Sequence, residues 1–433
     1  MKKVNVGLIG FGTVGSGVVK ILREKKPMLA AKIGAEISIK KICDKDITSR
    51  RNVVVSKDLL TRDARELIAD PQIDVVVELI GGMHPAKDFI VEALNKGKNI
   101  VTANKALLAQ HGKELFTYAR ERGKGIYFEA SVGAGIPLIK SVREGLVANN
   151  FTSIFGILNG TSNFVLSQMS HANCTFADAL KQAQAQGFAE QDPTLDIEGI
   201  DSAHKLVLLT YLCFGRLVAM DELFIEGISR VSLSDVNYAK ELGFEIKLLA
   251  IAKKEGEELE VRIHPTLIPH KHLLASVRGV FNAIYVSSDL AGDLLFYGPG
   301  AGQLSAASAV VSDLVDLTQD LKAGMFRPTL NVVEDPCVKK LRRIDESESR
   351  YYIRFLTQDK PGVLAKIAGV LAKFGISIAS VTQKEKHKAE AVPIVMIIHE
   401  AKEKNLRKAL EIINRLSVVK EKAVAIRIED VGA

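Results

Sequence analysis

Residues 187–205 read Gly187-Phe-Ala-Glu190-Gln-Asp192-Pro193-Thr-Leu-Asp196-Ile-Glu198-Gly199-Ile-Asp201-Ser-Ala-His-Lys205, five carboxylates closed by one lysine. Asp201 and Lys205 stand four apart at the start of an apolar run, Leu206 to Leu212, so a helix there carries both on one face. The acids upstream follow turn residues, Gly187 and Pro193, which places them on a loop leading onto that helix. Such a cluster suits a small substrate with an ammonium group and one amine placed to move a proton. A solvated acidic loop before an ordinary helix ion pair has the same pattern, and exposed pairs of that kind contribute little. The rest of the chain decides between the two.

The chain has 433 residues, room for about two to four domains, and 47% of them are hydrophobic, ample for real cores. The net charge of +7 sets 58 basic residues against 51 acidic ones. That surplus is spread out and lacks the aromatic interleaving of a nucleic-acid surface. Cys43, Cys174, Cys213 and Cys337 are widely separated and read as free thiols in a reducing compartment. The N-terminus enters a strand at once, with no signal peptide, and the apolar runs are too short to span a membrane. A soluble cytoplasmic protein is the expectation.

Val4-Asn-Val-Gly-Leu-Ile9 is a buried parallel strand by pattern, and Gly10-Phe11-Gly12-Thr13-Val14-Gly15 follows it directly. A helical pattern then turns Val18, Val19 and Leu22 inward. Strand, glycine turn and helix are the context a dinucleotide fingerprint requires. Gly10 allows the tight turn, Gly12 a close approach of pyrophosphate, and Gly15 close helix–strand packing, with the helix N-terminus facing the phosphates. Asp44, after the strand Ile37–Cys43, suits the ribose hydroxyls of NAD; Lys45, Arg50 and Arg51 suit the 2′-phosphate of NADP. Both cofactors stay open.

Further strands at Asp74–Ile80, Asn99–Thr102 and Gly125–Glu129, with a helix from about Pro85 to Leu94, imply a parallel, doubly wound sheet. Gly81-Gly82, Thr102-Ala-Asn104-Lys105 and Glu129–Ile136 then fall at carboxyl ends of strands, where ligands bind. Topology therefore puts Lys105 near the cofactor. From about Ile136 the pattern changes to mixed α/β, with β runs at Phe151–Leu158, Glu258–Ile263 and Phe281–Val286. Gly298-Pro-Gly-Ala-Gly302 introduces a helix, Ala306–Leu321, expected to pack back onto the nucleotide domain. His264, His270 and His272 flank prolines without metal-ligand spacing and read as surface or edge positions. Residues 322–350, with Pro328, Pro336 and a charged run, read as a linker. After it, strands at Tyr351–Thr357, Ile376–Lys384, Ala391–His399 and Ala423–Ile428 with two helices give the βαββαβ order of a ferredoxin-like plait.

With these motifs in view, the chain closely resembles the homoserine dehydrogenase family in its long bacterial form, which ends in an ACT domain. The resemblance rests on Gly10–Gly15, Thr102–Lys105, Glu129–Pro137, Leu158-Asn-Gly-Thr161, Asp192–Asp196 with Asp201 and Lys205, and Gly298–Gly302; Asp192–Lys205 is the specific part. It implies an α/β chain with a Rossmann-type doubly wound parallel sheet (1–135 plus 299–321), an inserted α+β catalytic and dimerisation domain (136–298), a linker (322–350) and an ACT regulatory domain (351–433). It implies interconversion of L-homoserine and L-aspartate 4-semialdehyde with NAD or NADP in threonine and methionine biosynthesis. Lys205 would carry the proton, with Lys105 close to substrate and cofactor, and Glu190 and Asp201 would hold the substrate. Gly187 and Gly302 would join Gly10–Gly15 at the cofactor. Glu129, Val132, Ala134 and Ile136 would surround a monovalent cation, sodium, largely through backbone carbonyls. The ACT domain implies threonine as effector, although Gly375 stands where many ACT sequences have Asn. A homodimer or homotetramer is expected, with no nucleic-acid or membrane partner.

Two rivals are weaker. A semialdehyde dehydrogenase forming an acyl intermediate needs a thiolate beside a base, and none of the four cysteines is so placed. A non-catalytic sensor built on the same modules has no need of both Lys105 and Lys205.

Overall fold

The computed structural model describes residues 2–325, 338–383 and 391–430. Six strands, β1 (Lys2–Ile9), β2 (Ala35–Cys43), β3 (Leu60–Thr61), β4 (Val75–Glu78), β5 (Asn99–Thr102) and β6 (Ile126–Tyr127), form one parallel sheet in the order β3-β2-β1-β4-β5-β6. Both faces are covered. Val6, Leu8, Val75, Val77 and Val101 pack with Val18 and Leu22 of the helix Thr13–Glu24 and with Val310 and Leu314 of the helix Gln303–Ala323. Ile9, Val76 and Ile100 face the helices Ala86–Asn95 and Lys105–Glu121. Burial on two sides is why Val6–Ile9 of β1 and Val75–Val77 of β4 are continuous apolar runs rather than alternating ones. The strand order reverses between β1 and β4, which opens a crevice at their carboxyl ends.

The helix Gln303–Ala323 does return to this sheet. A Cβ on Gly17 would lie 3.0 Å from both Gln303 and Ala307, so the glycine sets the helix–helix approach. The Gln303 amide donates to the Ser16 hydroxyl at 2.9 Å.

The second sheet contains β7 (Phe151–Ile157), β8 (Phe224–Ile225), β9 (Phe244–Glu255), β10 (Glu258–Pro269), β11 (Phe281–Ser288), β12 (Gly292–Pro299), β13 (Lys340–Arg342), β14 (Glu348–Thr357), β15 (Ile378–Gln383), β16 (Val392–Lys402) and β17 (Val424–Ile428). Its main path is β12-β11-β7-β9-β10-β17-β14-β16-β15. The last four strands, with the helices Val363–Lys373 and Glu403–Ile413, are the plait read from the sequence. The join was not foreseen. β10 pairs with β9 on one side, and its other side is filled in turn by β13 at Glu258–Glu260, β8 at Arg262–Ile263 and β17 at Thr266–Leu267, all parallel. The plait therefore continues the sheet of the middle domain. Arg354 of β14 pairs with fully buried Asp235 at 2.6 Å, and Glu429 takes Arg262 and Lys253 together.

Two sequence expectations change. His264 lies in the middle of β10 and is fully buried, not at a surface or edge. The Phe224 ring lies 6.3 Å from it, and burial holds its pKa well below the ordinary imidazole value. The stretch read as linker is not all connection either: Lys340–Arg342 is a strand and β14 begins at Glu348. Pro328, Pro336, Cys337 and Lys384 lie outside the described residues. Among the described residues no helix is long and apolar enough to cross a membrane.

Candidate active site

At the end of β1 the chain turns through Gly10, whose φ of +104° only glycine adopts readily. A Cβ on Gly10 would lie 2.7 Å from the Leu79 carbonyl, and one on Gly15 would lie 2.0 Å from the Gly10 oxygen. Gly12 caps the helix Thr13–Glu24 and faces open space, with nothing within 4 Å of a Cβ built there. The free N–H groups and positive end of that helix thus open onto a cradle, with no acidic residue in the first turn to repel phosphate. Phe11, Thr13 and Val14 complete the turn. The residues fit a dinucleotide. Asp44 accepts from the N–H groups of Phe11 (2.5 Å) and Asp46 (2.8 Å), and Arg51 donates to the Phe11 carbonyl (2.8 Å). Lys45 and Arg50 are exposed beside them.

Across the crevice, Glu78 is fully buried at the end of β4. One oxygen accepts from the N–H groups of Ile80 (2.8 Å) and Gly81 (3.2 Å), the other from the Thr102 hydroxyl (2.7 Å). The Thr102 oxygen accepts from the Asn104 N–H at 3.0 Å, and the Asn104 amide donates to the Gly82 carbonyl at 2.7 Å. The Gly81-Gly82 turn and Asn104, the N-cap immediately before Lys105, are therefore one hydrogen-bonded unit. Burial raises the Glu78 carboxyl above its ordinary value, against these hydrogen bonds. Sequence reasoning missed Glu78; its only signal was an acid closing an apolar strand.

Lys205 lies on the helix Ile200–Phe214, one turn beyond Asp201. Its Nζ donates to Asp201 Oδ2 at 2.7 Å and to the Leu158 carbonyl at 2.5 Å. Asp201 Oδ1 pairs with Lys105 at 3.1 Å. Asn159, at the end of β7, donates to Asp201 (3.0 Å) and to Asp196 (2.7 Å), and Asn282 donates to the Leu158 carbonyl (3.0 Å). One carboxylate thus stands between two lysines contributed by different domains. Lys205 is 7% exposed and Asp201 9%. Burial pushes the Lys205 ammonium below its ordinary value; Asp201 opposes this and Lys105 adds to it. Burial would raise Asp201, but the two lysines outweigh it and hold the carboxyl well below the usual range. Asn159 entered the sequence reading only within the Leu158–Thr161 motif, without a role, and Asn282 not at all; Asn159 follows a strand end, where such residues gather.

The loop before this helix is built as its turn residues require. Gly187 has φ +73° and faces open space. Glu190 is exposed, with no ion pair among the described residues. Asp192 accepts from Thr194 (2.6 Å and 3.1 Å) and shapes the turn. Gly302, with φ +139°, caps the helix Gln303–Ala323 close to the first turns of the helix Thr13–Glu24.

Glu129 is buried after β6 and its two oxygens accept from the N–H groups of Ile139 (2.9 Å) and Lys140 (2.8 Å). Burial raises its pKa, and buried Asp313 accepts from the Glu129 N–H at 2.9 Å. Between them the chain doubles back through Gly133 (φ +72°) and Ala134 (φ +51°). Val132, Ala134 and Ile136 are buried in this turn, which runs into one short helical stretch, Leu138–Gly145. A buried carboxylate beside a tightly turned backbone fits a small monovalent cation, and it needs no third acidic side chain.

Comparison with known proteins agrees with this geometry. The family model for homoserine dehydrogenase matches residues 137–315, that for its NAD-binding domain residues 10–129, and that for the ACT domain residues 351–418. A homoserine dehydrogenase from Neisseria gonorrhoeae is 43% identical over 432 residues, covering 99% of each chain. The crystal structure of one from Thiobacillus denitrificans superposes with a TM-score of 0.91 at 41% identity, over 100% of this chain and 99% of that one. A hyperthermophilic archaeal homoserine dehydrogenase, solved in complex with NADPH, superposes with a TM-score of 0.63 at 28% identity, over 75% of this chain and 100% of its own. The chain belongs to the homoserine dehydrogenase family, NAD(P)-dependent oxidoreductases that interconvert L-homoserine and L-aspartate 4-semialdehyde.

Proposed function

We propose that Lys205 is the proton donor and acceptor of the reaction, and that Lys105, Asp201 and Glu190 arrange the substrate around it. The observation that carries this reading is the bridge Lys105–Asp201–Lys205, at 3.1 and 2.7 Å. A nicotinamide held at the Gly10–Gly15 cradle would supply or take the hydride at the substrate carbon. The substrate oxygen then needs a cation to stabilise its developing charge and an acid to protonate it. Lys205 does both, because burial and Lys105 lower its pKa toward working pH while Asp201 keeps it oriented. In the opposite direction neutral Lys205 takes the hydroxyl proton. The carboxylates of Asp201 and Glu190 suit the α-ammonium of the substrate. The test is Lys205→Met: it should lose turnover and keep NADPH binding.

Gly10–Gly15 and Lys105, with Gly187 and Gly302, form the cofactor site in this proposal, and the cofactor is NAD or NADP. Glu129 and the carbonyls of Val132, Ala134 and Ile136 hold sodium at the junction of the first sheet and the middle domain, a structural site rather than a reacting one. Thermal stability should then rise with sodium and not with choline. The proposed domains are 1–135 plus 299–321, 136–298 and 351–433, joined through 322–350. Association as a homodimer or homotetramer through the middle domain and the plait is checked by sedimentation.

Threonine is proposed as effector of the ACT domain. Gly375 is left-handed (φ +70°) just past the helix Val363–Lys373, a position that asparagine also tolerates. Titrating activity of the full chain with threonine, for wild type and Gly375→Asn, tests this; flat curves for both would remove the effector.

A further inference from the structure

Residues 224–228 run between the plait and the helix that carries Lys205, and they touch both. On the plait side the Phe224 ring lies near two guanidiniums, Arg427 of β17 at 4.7 Å and Arg407 at 5.4 Å. Glu226 pairs with Arg427 at 3.1 Å. Arg427 is buried and held by Glu403 at 2.7 and 3.0 Å, so the plait fixes its position. On the other side the Glu226 N–H donates to the Ile263 carbonyl and the Ile228 N–H to the Ile197 carbonyl, both at 2.8 Å. Gly227 lies so close that a Cβ would sit 2.5 Å from the Ile197 oxygen. Two residues on, Gly199 is the left-handed N-cap of the Lys205 helix, and a Cβ there would come within 3.3 Å of Ile225. Asp201 is the second residue of that helix.

We propose that Phe224–Ile228 is a strap through which the C-terminal module fixes the first turn of the Lys205 helix, making Phe224 and Arg427 positioning residues for the proton transfer. The proposal rests on the assignment of that transfer to Lys205. Displacing the first turn moves Asp201 relative to Lys205 and Lys105, so it changes both the geometry and the ionisation of the lysine. A contact that served only to dock the plait would change neither.

The test uses the full chain carrying Phe224→Leu, Arg427→Met or Arg427→Lys, with Arg350→Ala, a β14 residue paired with Asp430, as a control. kcat, KM for homoserine, the pH profile of kcat and the Kd of NADPH are measured for each. Phe224→Leu and Arg427→Met should lower kcat about tenfold, inside the ~10²-fold that a 1 Å misplacement of a catalytic group can cost. They should shift the pH limb of Lys205 and leave NADPH binding unchanged. Arg427→Lys should recover part of the rate, and Arg350→Ala should match wild type. Wild-type kcat and pH profile in the first two variants overturn the strap, as does a rate loss that only follows loss of NADPH binding or that Arg350→Ala shares. Lys205→Met, assayed alongside, separates the two readings: an active Lys205→Met enzyme overturns the assignment of Lys205, whereas an inactive one beside unaffected strap variants overturns the strap alone.

Discussion

Asp201 reaches across one turn of helix to Lys205, Oδ2 to Nζ at 2.7 Å, with both side chains almost wholly out of solvent. On an exposed helix such a pair contributes about 0.3–0.5 kcal/mol. Here the same spacing is buried, and the carboxylate also takes Lys105 at 3.1 Å. Two lysines flank this carboxylate, and a protonated amine held there suits a site where an oxygen gains negative charge.

Asp201→Asn should move the pH dependence in a defined direction. The carboxylate raises the Lys205 pKa against burial, so removing its charge lowers it further. With Lys205 as the proposed proton carrier, semialdehyde reduction needs the protonated lysine and fails as pH rises through its pKa; homoserine oxidation needs the neutral lysine and begins there. Both limbs should shift to lower pH, with a higher KM for substrate. Profiles in both directions check this, and limbs that stay in place or move alkaline contradict it.

Gly12→Ala and Gly15→Ala should fail in different ways. A methyl group added at Gly12 would point into open space, so that variant should keep its melting temperature and lose NAD(P)H affinity. A methyl group added at Gly15 would collide with the Gly10 oxygen, an overpacking that costs about 1–3 kcal/mol, so this variant should melt earlier. Calorimetry and a nucleotide fluorescence titration separate the two.

Acid should destabilise the sheet through His264. Its folded pKa lies below the unfolded value of about 6.5, because it is buried. The unfolded chain therefore takes up the proton first as pH falls. The stability due to neutral His264 is present above the unfolded pKa and is lost below it. Between pH 7 and pH 5 the His264→Gln variant should lose less melting temperature than wild type; equal losses would contradict the linkage.

Docking of the plait rests in part on Arg354. Arg354→Met would leave Asp235, 0% exposed, with only Tyr352 at 3.1 Å and its own helix cap. Breaking a buried pair from one side costs about 3–5 kcal/mol. A fall of several degrees in the unfolding of the full chain is expected, and an unchanged melting temperature would show that the pair does not hold the plait in place.

The nucleotide sheet was legible because its signals are local. Val75–Val77 is an apolar run, Ile100-Val101 is another short one, and Gly10–Gly15 sits where strand meets helix. The four-residue spacing of Asp201 and Lys205 gave their shared face directly. Lys105 needed topology, since only the carboxyl-end rule for parallel sheets brings it to the crevice. Its bond to Asp201 joins residues nearly a hundred positions apart, and no periodicity encodes that. Glu78, Asn159 and Asn282 act through hydrogen bonds to backbone groups and to side chains distant in the chain, which leave no pattern in a single sequence. His264 lies where β10 is flanked by β8 and β17, pairings that are distant in the chain and that no residue near it announces.

The most direct measurement is Lys205→Met in the full chain, with NADPH affinity by fluorescence titration and homoserine turnover under saturating cofactor. The account predicts NADPH binding close to wild type and a turnover reduced by about 10²–10⁴-fold, the range that general acid–base catalysis contributes. Turnover within a few-fold of wild type, with cofactor binding intact, would contradict it.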